Sequence, residues 1–243
     1  MRVMSYNVHG LRDDRSALAE VVREVAPDVL VVQEAPRRLR WRTRNAQLAH
    51  ALDLVYVTGG APSLGNVIMT NLAVRPYGAW ELRYPLTPGR HMRGAAFARC
   101  TADGVSFVVA GSHLATDPAE RPGQARLLNR ALADHDHGAD HAHHSAAAPH
   151  GGAADRRTVD APVILAVDLN EDPGGPAWRT LADGLVDAAG DDASATFPAT
   201  GQRLDAIMVD PRIAVSSYRV VDSPAARRAS DHLPVVADLT LPG

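Results

Sequence analysis

The sequence contains no lysine, so all 25 residues counted as lysine or arginine are arginine. This absence excludes Schiff-base chemistry, a lysine general base and the lysine of a phosphate-binding loop. Cysteine is almost absent too, because Cys100 is the only one. A single cysteine can neither form an internal disulfide nor supply the several thiolates of a cysteine-based zinc site. The sequence therefore excludes stabilisation by an internal disulfide and by a cysteine-based zinc site.

The chain also lacks an overall basic charge and a long apolar segment. Its formal net charge is −3 over 243 residues, so global charge does not indicate nucleic-acid binding. A membrane-spanning helix needs a run of about 20 apolar residues, and the sequence has none. The N-terminus opens on a strand-like run rather than a signal peptide. We expect a cytoplasmic monomer with one domain over residues 1–243.

Apolar runs and apolar periodicity predict alternating strands and helices, starting with a β-α-β unit. Strands are predicted over residues 2–8, 28–34, 65–70, 94–100, 105–114, 161–170, 202–210, 214–221 and 230–241. Helices are predicted over residues 16–25, 37–52, 121–134 and 176–183.

A histidine-rich segment interrupts this pattern at about residues 135–157. It has six histidines and almost no large apolar side chain, so it cannot bury enough surface to fold by itself. The histidines superficially resemble a metal site, but structural metal sites hold their ligands in fixed geometry. We interpret the segment as a flexible insertion with adventitious affinity for Ni²⁺ or Zn²⁺.

Polar residues lie at the boundaries of most predicted strands, although an apolar strand does not require them there. If the strands form a sandwich with these ends at one rim, that rim holds four carboxylates, two amides and two imidazoles. The residues are Asn7, Glu34, His113, Asp168, Asn170, Asp205, Asp231 and His232.

This set of side chains suits the hydrolysis of a phosphate ester. Mg²⁺ prefers oxygen ligands, which Glu34 can supply with Asp231 or Asn7 in support. A carboxylate, for which Asp168 is the best candidate, can orient and deprotonate the attacking water. Asn170 can donate an amide N–H to a phosphoryl oxygen.

The histidine at the last of these strand boundaries completes the chemistry. An imidazolium at His232 can stabilise the charge of the pentavalent transition state or protonate the leaving oxygen. Asp205 would hold this histidine in one tautomer and raise its pKa.

Six short motifs in order resemble the endonuclease/exonuclease/phosphatase superfamily, which includes deoxyribonuclease I and exonuclease III. They are "SYNVHG", "VVQE", "GSHL", "AVDLNEDP", "RLDAIMV" and "SDHLPV", and the resemblance runs from about residue 3 to residue 239. It implies an α+β fold, a four-layered α/β/β/α sandwich with two central mixed sheets, and a phosphoesterase that depends on Mg²⁺ or Mn²⁺.

The resemblance also implies roles by position. Asn7 and Glu34 match metal-side residues of the family, and His113 matches the histidine of its "HL" motif. The remaining matches are Asp168 and Asn170 for the Asp-x-Asn pair, Asp205 for the acid that pairs with the terminal histidine, and Asp231 with His232 for the "SDH" motif.

Four of the six motifs also have a purely structural interpretation. Asp168-x-Asn170 can be an Asx turn before a proline, and Glu34 can cap the next helix. Asp231-His232 can be a cap or a loop pair, and His113 can be a satisfied surface residue. Because these motifs occur together in one chain, the catalytic interpretation is favoured for each of them.

Two arginine-rich segments adjoin these motifs, and they bear on the substrate. The segment "RRLRWRTR" follows Glu34, and Arg227 with Arg228 precedes Asp231. The alternatives are a solvated helix face and an anion-binding patch. We expect Arg38, Arg40, Arg42 and Arg228 to bind substrate phosphates, with Trp41 stacking on a base or entering a lipid surface.

These patterns leave two classes of function. The first is a metal-dependent phosphodiesterase or phosphatase, with DNA or RNA preferred as substrate over an anionic lipid or a sugar phosphate. The second is a non-catalytic metal-binding protein that uses the histidine-rich segment. A degenerate homologue should have lost part of the catalytic set, yet Glu34, Asp168, Asn170, Asp205 and His232 are all present. The first class is therefore favoured.

Overall fold

The structure is a computed structural model that describes residues 1–134 and 161–243. Its strands are β1 (Arg2–Asn7), β2 (Val29–Gln33), β3 (Val55–Gly59), β4 (Val67–Thr70), β5 (Arg75–Arg83), β6 (Gly94–Ala102), β7 (Val105–His113), β8 (Val163–Asp168), β9 (Val186–Asp187), β10 (Asp205–Val209), β11 (Ala214–Val220) and β12 (Val235–Thr240). Its α-helices are α1 (Arg15–Val25), α2 (Trp41–Ala51), α3 (Arg121–Ala133), α4 (Pro176–Leu181) and α5 (Pro224–Ala229), and a 3₁₀ turn covers His9–Leu11.

The strands form two six-stranded mixed sheets. The first has the order β11-β12-β1-β2-β4-β3 and the second has the order β5-β6-β7-β8-β10-β9. Each contains one parallel pair, β1 with β2 and β7 with β8, and its other neighbouring strands are antiparallel. The two parallel pairs bring the C-terminal ends of β1, β2, β7 and β8 to one rim.

Three apolar cores separate four layers. One core joins the first sheet to α1, α2 and α5, a second lies between the sheets, and a third joins the second sheet to α3 and α4. Side-chain alternation along a strand produces this division. In β2, Leu30 and Val32 pack against the helices, whereas Val29 and Val31 pack against the other sheet. The expected α+β fold, a four-layered α/β/β/α sandwich, is confirmed.

The sheets approach closely where β2 crosses β7. A Cβ atom added to Gly111 in β7 would lie 2.4 Å from Cγ1 of Val31. Such a separation is far below van der Waals contact, so a glycine is needed at this point for the two sheets to pack.

Several elements differ from those expected. The helix predicted over residues 37–52 begins only at Trp41, because Arg40 adopts a left-handed conformation with φ of 59° and cannot continue a right-handed helix. Strands β3, β5 and β9 and helix α5 were not predicted. The last strand begins at Val235 rather than at residue 230, so Asp231 and His232 lie in the segment before it.

Two further expectations concern the histidine-rich segment and membranes. The insertion predicted at residues 135–157 falls outside the described residues. None of the helices in the described part of the chain has both the length and the apolar character needed to cross a bilayer.

Candidate active site

Strand register places three of the candidate residues side by side. His113 at the end of β7 pairs with Asp168 at the end of β8, and Asp168 pairs with Asp205 at the start of β10. Because β8 and β10 are antiparallel, the end of one strand meets the beginning of the other. Residues from three separate motifs thus form one row across the rim of the second sheet.

Asp168 lies at the centre of the site and is fully buried. Its Oδ2 accepts a hydrogen bond of 2.8 Å from Nδ2 of Asn7, which ends β1 in the other sheet. The same oxygen lies 3.2 Å from Nε2 of His113 and 4.0 Å from Nε2 of His232. The carboxylate therefore links both sheets, and both candidate histidines face it.

The turn after β8 has a strained backbone. Asn170 has φ of 50°, and its N–H donates to Oδ1 of Asp168 over 3.0 Å, which forms an Asx turn. Its Nδ2 donates to the Leu114 carbonyl over 3.0 Å and lies 2.9 Å from Nε2 of His113. The Asx turn of the structural interpretation is thus observed, and the same residues also face the site. Backbone strain of this kind concentrates at functional sites.

His232 and Asp205 form a buried charge pair. Nδ1 of His232 lies 2.8 Å from Oδ2 of Asp205, and the Phe197 ring packs against the imidazole with centroids 4.9 Å apart. Burial lowers the pKa of His232, but the charge and hydrogen bond of Asp205, together with the charge of Asp168, outweigh it and raise the pKa to about 9. His232 is therefore an imidazolium at neutral pH.

His113 has the opposite character. Burial lowers its pKa to about 3, because the attraction of Asp168 is weaker than the combined effect of burial and the neighbouring Arg93 cation. Nη1 of Arg93 lies 3.2 Å from Nδ1 of His113, and a neutral ring can accept that hydrogen bond. The site therefore combines one neutral and one protonated histidine around a single carboxylate.

Two carboxylates face a pocket of about 560 Å³ next to this cluster, and they belong to Glu34 and Asp231. Glu34 directly follows β2 with φ of 57°, and its Oε1 lies 4.0 Å from Nδ1 of His113. Its carboxylate accepts no hydrogen bond from any described residue. Asp231 Oδ2 lies 3.7 Å from Nε2 of His9, another residue of the pocket wall.

Two groups of residues have the chemistry to hold a metal. Asp168, Asp205 and His232 offer ligand atoms within 4.8 Å of one another. Nδ1 of His232 is already paired with Asp205, so Nε2 is the imidazole atom that this group offers to a metal. Glu34 and Asp231 provide carboxylate oxygens on the pocket wall, which are ligands of the kind that a hard divalent cation prefers.

Both polar atoms of the Asn7 side chain already make hydrogen bonds within the protein. Its Oδ1 accepts from the His9 N–H over 3.1 Å while its Nδ2 donates to Asp168. One lone pair of Oδ1 remains for a cation, so metal binding by Asn7 stays a prediction.

The predicted substrate-binding arginines are dispersed. Arg38 lines the pocket. Arg40 precedes α2, Arg42 stacks over the Trp41 ring at 4.3 Å, and Arg228 in α5 lies 3.6 Å from Asp14. None of these three is among the described residues that line the pocket. Trp41 is partly buried, since its ring packs against Gly60.

The sequence analysis missed two arginines of the site, Arg93 and Arg12. Both line the pocket, with Arg93 preceding β6 and Arg12 following the 3₁₀ turn after β1. The register of β6 with β7, in which Gly94 faces His113, brings Arg93 to the rim. The sequence signal that could have identified Arg93 is its position directly before β6, the strand that pairs with the "GSHL" strand β7.

Comparisons with known proteins agree with this architecture. A sequence profile of the endonuclease/exonuclease/phosphatase family matches residues 4–232. No curated protein sequence matches the chain. A mannosyl-6-phosphatase of Bacteroides thetaiotaomicron superposes with a TM-score of 0.76 at 18% identity, covering 99% of this chain and 100% of that one.

Two further solved structures have nearly the same fold. The human Nocturnin catalytic domain, solved with a bound sulfate anion, gives a TM-score of 0.75 at 18% identity and covers 99% of this chain and 94% of that one. D. rerio TDP2 in complex with a single-strand DNA product gives 0.74 at 18% identity, with coverages of 99% and 98%.

Two mixed sheets between helical layers, with a buried Asp/His cluster at one rim, define the α/β sandwich of hydrolases that act on phosphoester bonds. The chain belongs to the endonuclease/exonuclease/phosphatase family.

Proposed function

We propose that this protein is a phosphoesterase that depends on Mg²⁺ or Mn²⁺ and hydrolyses its substrate with an activated water. The observation that carries this proposal is the buried Asp168 carboxylate, which lies between a neutral His113 and a protonated His232. A buried carboxylate with these neighbours is suited to acid–base work rather than to stabilising the fold.

The residues have distinct roles in this proposal. Asp168 accepts a proton from the attacking water while Asn7 and His113 fix the orientation of the carboxylate. The water oxygen forms a bond to phosphorus as the bond to the leaving oxygen breaks. His232, held by Asp205, stabilises the charge that develops on the phosphoryl group or donates the proton that the leaving oxygen needs.

Asn170 and the metal residues complete the site. The amide of Asn170, which lies beside His113, donates to a phosphoryl oxygen. Glu34, with Asp231 and Asn7, holds the divalent cation. When bound, the cation neutralises phosphoryl charge as a Lewis acid.

The identity of the substrate is a more specific proposal than the class of reaction. Solved relatives include a mannosyl-6-phosphatase and a TDP2 structure with single-strand DNA product, so the fold alone does not select a substrate. We propose a nucleic-acid substrate ahead of a lipid or sugar phosphate, and the support is Arg38 on the pocket wall next to Glu34. For DNA or RNA, the measured affinity should fall steeply as salt rises, through release of counterions.

Hydrolysis of bis-p-nitrophenyl phosphate tests the reaction class. Wild-type protein should be active with Mg²⁺ or Mn²⁺ and inactive with EDTA. Asp168→Asn should lower turnover by roughly two to four orders of magnitude with melting behaviour intact, in line with loss of a general base. Asp172→Asn is the matched control, because Asp172 is exposed and bonds only Gln202 among the described side chains. Near wild-type turnover of Asp168→Asn would remove Asp168 from the mechanism.

A further inference from the structure

The pocket beside the catalytic cluster has an unusual concentration of arginine. Five arginines line it, together with the two carboxylates already described. They come from three separate segments: Arg12 after the 3₁₀ turn, Arg37, Arg38 and Arg44 around the start of α2, and Arg93 before β6. We call these five residues the arginine pocket.

The arginines of this pocket form no close ion pair with an acidic side chain in the described part of the chain. None of the five forms a salt bridge with a carboxylate of the described residues, whereas several arginines elsewhere pair closely with acids. Arg203 with Asp187, at 2.6 Å, and Arg2 with Asp238, at 2.8 Å, are examples. Within the described residues, five guanidinium groups therefore share this pocket with only two carboxylates. Like charges crowded in this way indicate an anionic ligand.

Two of the five are held firmly next to the catalytic cluster. Arg37 donates to the carbonyls of Leu64 and Met92, at 3.1 and 3.3 Å. Arg93 contacts His113, and its buried Nε has no hydrogen-bond partner among the described residues. A buried and unpaired guanidinium nitrogen costs free energy, which a ligand oxygen at that position would recover.

The other three, Arg12, Arg38 and Arg44, are exposed and make no salt bridge within the described chain. Arg37 and Arg93 are sufficient for the one or two charges of the scissile phosphate, especially with a divalent cation present. A separate phosphate group, which carries a charge of about −1.5 to −2 as a monoester, would match the remaining arginines.

We propose that the arginine pocket binds a second phosphate group of the substrate, next to the scissile ester, through Arg12, Arg38 and Arg44. This rests on the proposed function, because it takes the Asp168 cluster as the place of hydrolysis. The pocket volume of about 560 Å³ is that of a site for one small molecule or one nucleotide, in the usual range of about 300–1,000 Å³. The ligand is therefore a compact bisphosphorylated group.

Binding in EDTA tests this independently of turnover. Calorimetry would compare pyrophosphate with orthophosphate, and adenosine 3′,5′-bisphosphate with adenosine 5′-monophosphate. The bisphosphorylated member of at least one pair should bind about tenfold more tightly or better, since two charge-assisted arginine contacts are gained. Equal affinities within both pairs would overturn the proposal. This result would leave hydrolysis of bis-p-nitrophenyl phosphate unaffected, so the two proposals fail separately.

Variants distinguish the pocket from general attraction to a positive surface. The double substitution Arg12→Gln with Arg44→Gln should abolish the preference for the bisphosphorylated ligand. The control is Arg75→Gln with Arg219→Gln, which removes the same charge from two exposed strand positions outside the pocket and should keep the preference. Equal loss in both double variants would show unspecific electrostatics and contradict the assignment.

The same chemistry could come from a free small molecule or from a phosphorylated end of a nucleic-acid strand. A 5′-phosphorylated and a 5′-hydroxyl oligonucleotide of one sequence, measured alongside the adenosine compounds, separate the two sources. A preference of about tenfold for the 5′-phosphate identifies the strand end as ligand. A preference confined to the adenosine compounds identifies the small molecule. In either case the double substitution Arg12→Gln with Arg44→Gln should remove the preference.

Discussion

His232 and Asp205 form a buried pair in which Nδ1 of the imidazole lies 2.8 Å from Oδ2 of the carboxylate. The folded protein therefore favours the protonated histidine, with a pKa of about 9 against 6.5 for the free side chain. Because the folded-state pKa is raised, the pair stabilises the fold fully below about pH 6.5 and loses that contribution as pH rises through about 9.

Asp205→Asn should therefore destabilise the protein more at about pH 6 than at about pH 9.5, by roughly 3 kcal/mol at most. Urea unfolding in EDTA at the two pH values measures the difference. Asp222→Asn is the control, since Asp222 forms an exposed pair with Arg227, which stays charged over this range. A destabilisation by Asp205→Asn that does not change with pH would show that His232 is not the linked group.

Glu34→Gln should raise the concentration of Mg²⁺ needed for half-maximal turnover by about tenfold or more, because a neutral amide is a weaker ligand for a hard cation. Titration of bis-p-nitrophenyl phosphate hydrolysis with Mg²⁺ measures this. Glu20→Gln removes an exposed carboxylate of α1 and should leave the titration unchanged. An unaltered Mg²⁺ requirement in Glu34→Gln would place the cation elsewhere.

Gly111→Ala should destabilise the fold by about 1–3 kcal/mol, since its Cβ would meet Val31 between the two sheets. Combining it with Val31→Ala should recover part of this loss, and a double-mutant cycle from urea unfolding measures the coupling. Gly123→Ala is the matched control, because its Cβ in α3 would meet no atom closer than 4.0 Å. It should be neutral or stabilising. Additive effects at Gly111 and Val31 would contradict the close approach.

Deleting residues 136–156 should leave the protein folded and active on bis-p-nitrophenyl phosphate. The segment has almost no large apolar side chain, and shortening a loop changes its closure entropy by less than about 1 kcal/mol. Thermal unfolding and turnover of the deletion variant measure both effects. Unchanged melting with abolished hydrolysis would assign the segment to the site.

Apolar runs and their polar boundaries are local signals, so they located most of the strands, whereas the four-layered sandwich was implied by the resemblance of the six motifs to a known family. The polar strand ends were expected to meet at one rim, and the strand register brings His113, Asp168 and Asp205 into one row there. The missed elements have weak local signals. β5 is half-exposed and contains Pro76 and Gly78, which strands usually avoid.

The arginines show where sequence reasoning fails. Residues 37–40 have helix-forming composition, yet the left-handed conformation of Arg40 delays the helix to Trp41 and leaves Arg38 at the pocket instead of on a helix face. Arg93 comes to the site only through the pairing of β6 with β7, which is a long-range contact. Helix α5 carried a readable signal, since Ser223 caps it and Pro224 opens it.

The row of His113, Asp168 and Asp205 is built from the ends of three neighbouring strands of a six-stranded sheet, whereas four of the five arginines of the arginine pocket lie in connecting segments and only Arg44 lies in a helix, α2. Amide protons around the row should therefore exchange only when the whole molecule unfolds, and those of the connecting segments should exchange through local openings. Selectivity for a new ligand could thus be selected in the laboratory by randomising these segments alone. The hydrolytic residues would keep their spacing throughout such an experiment.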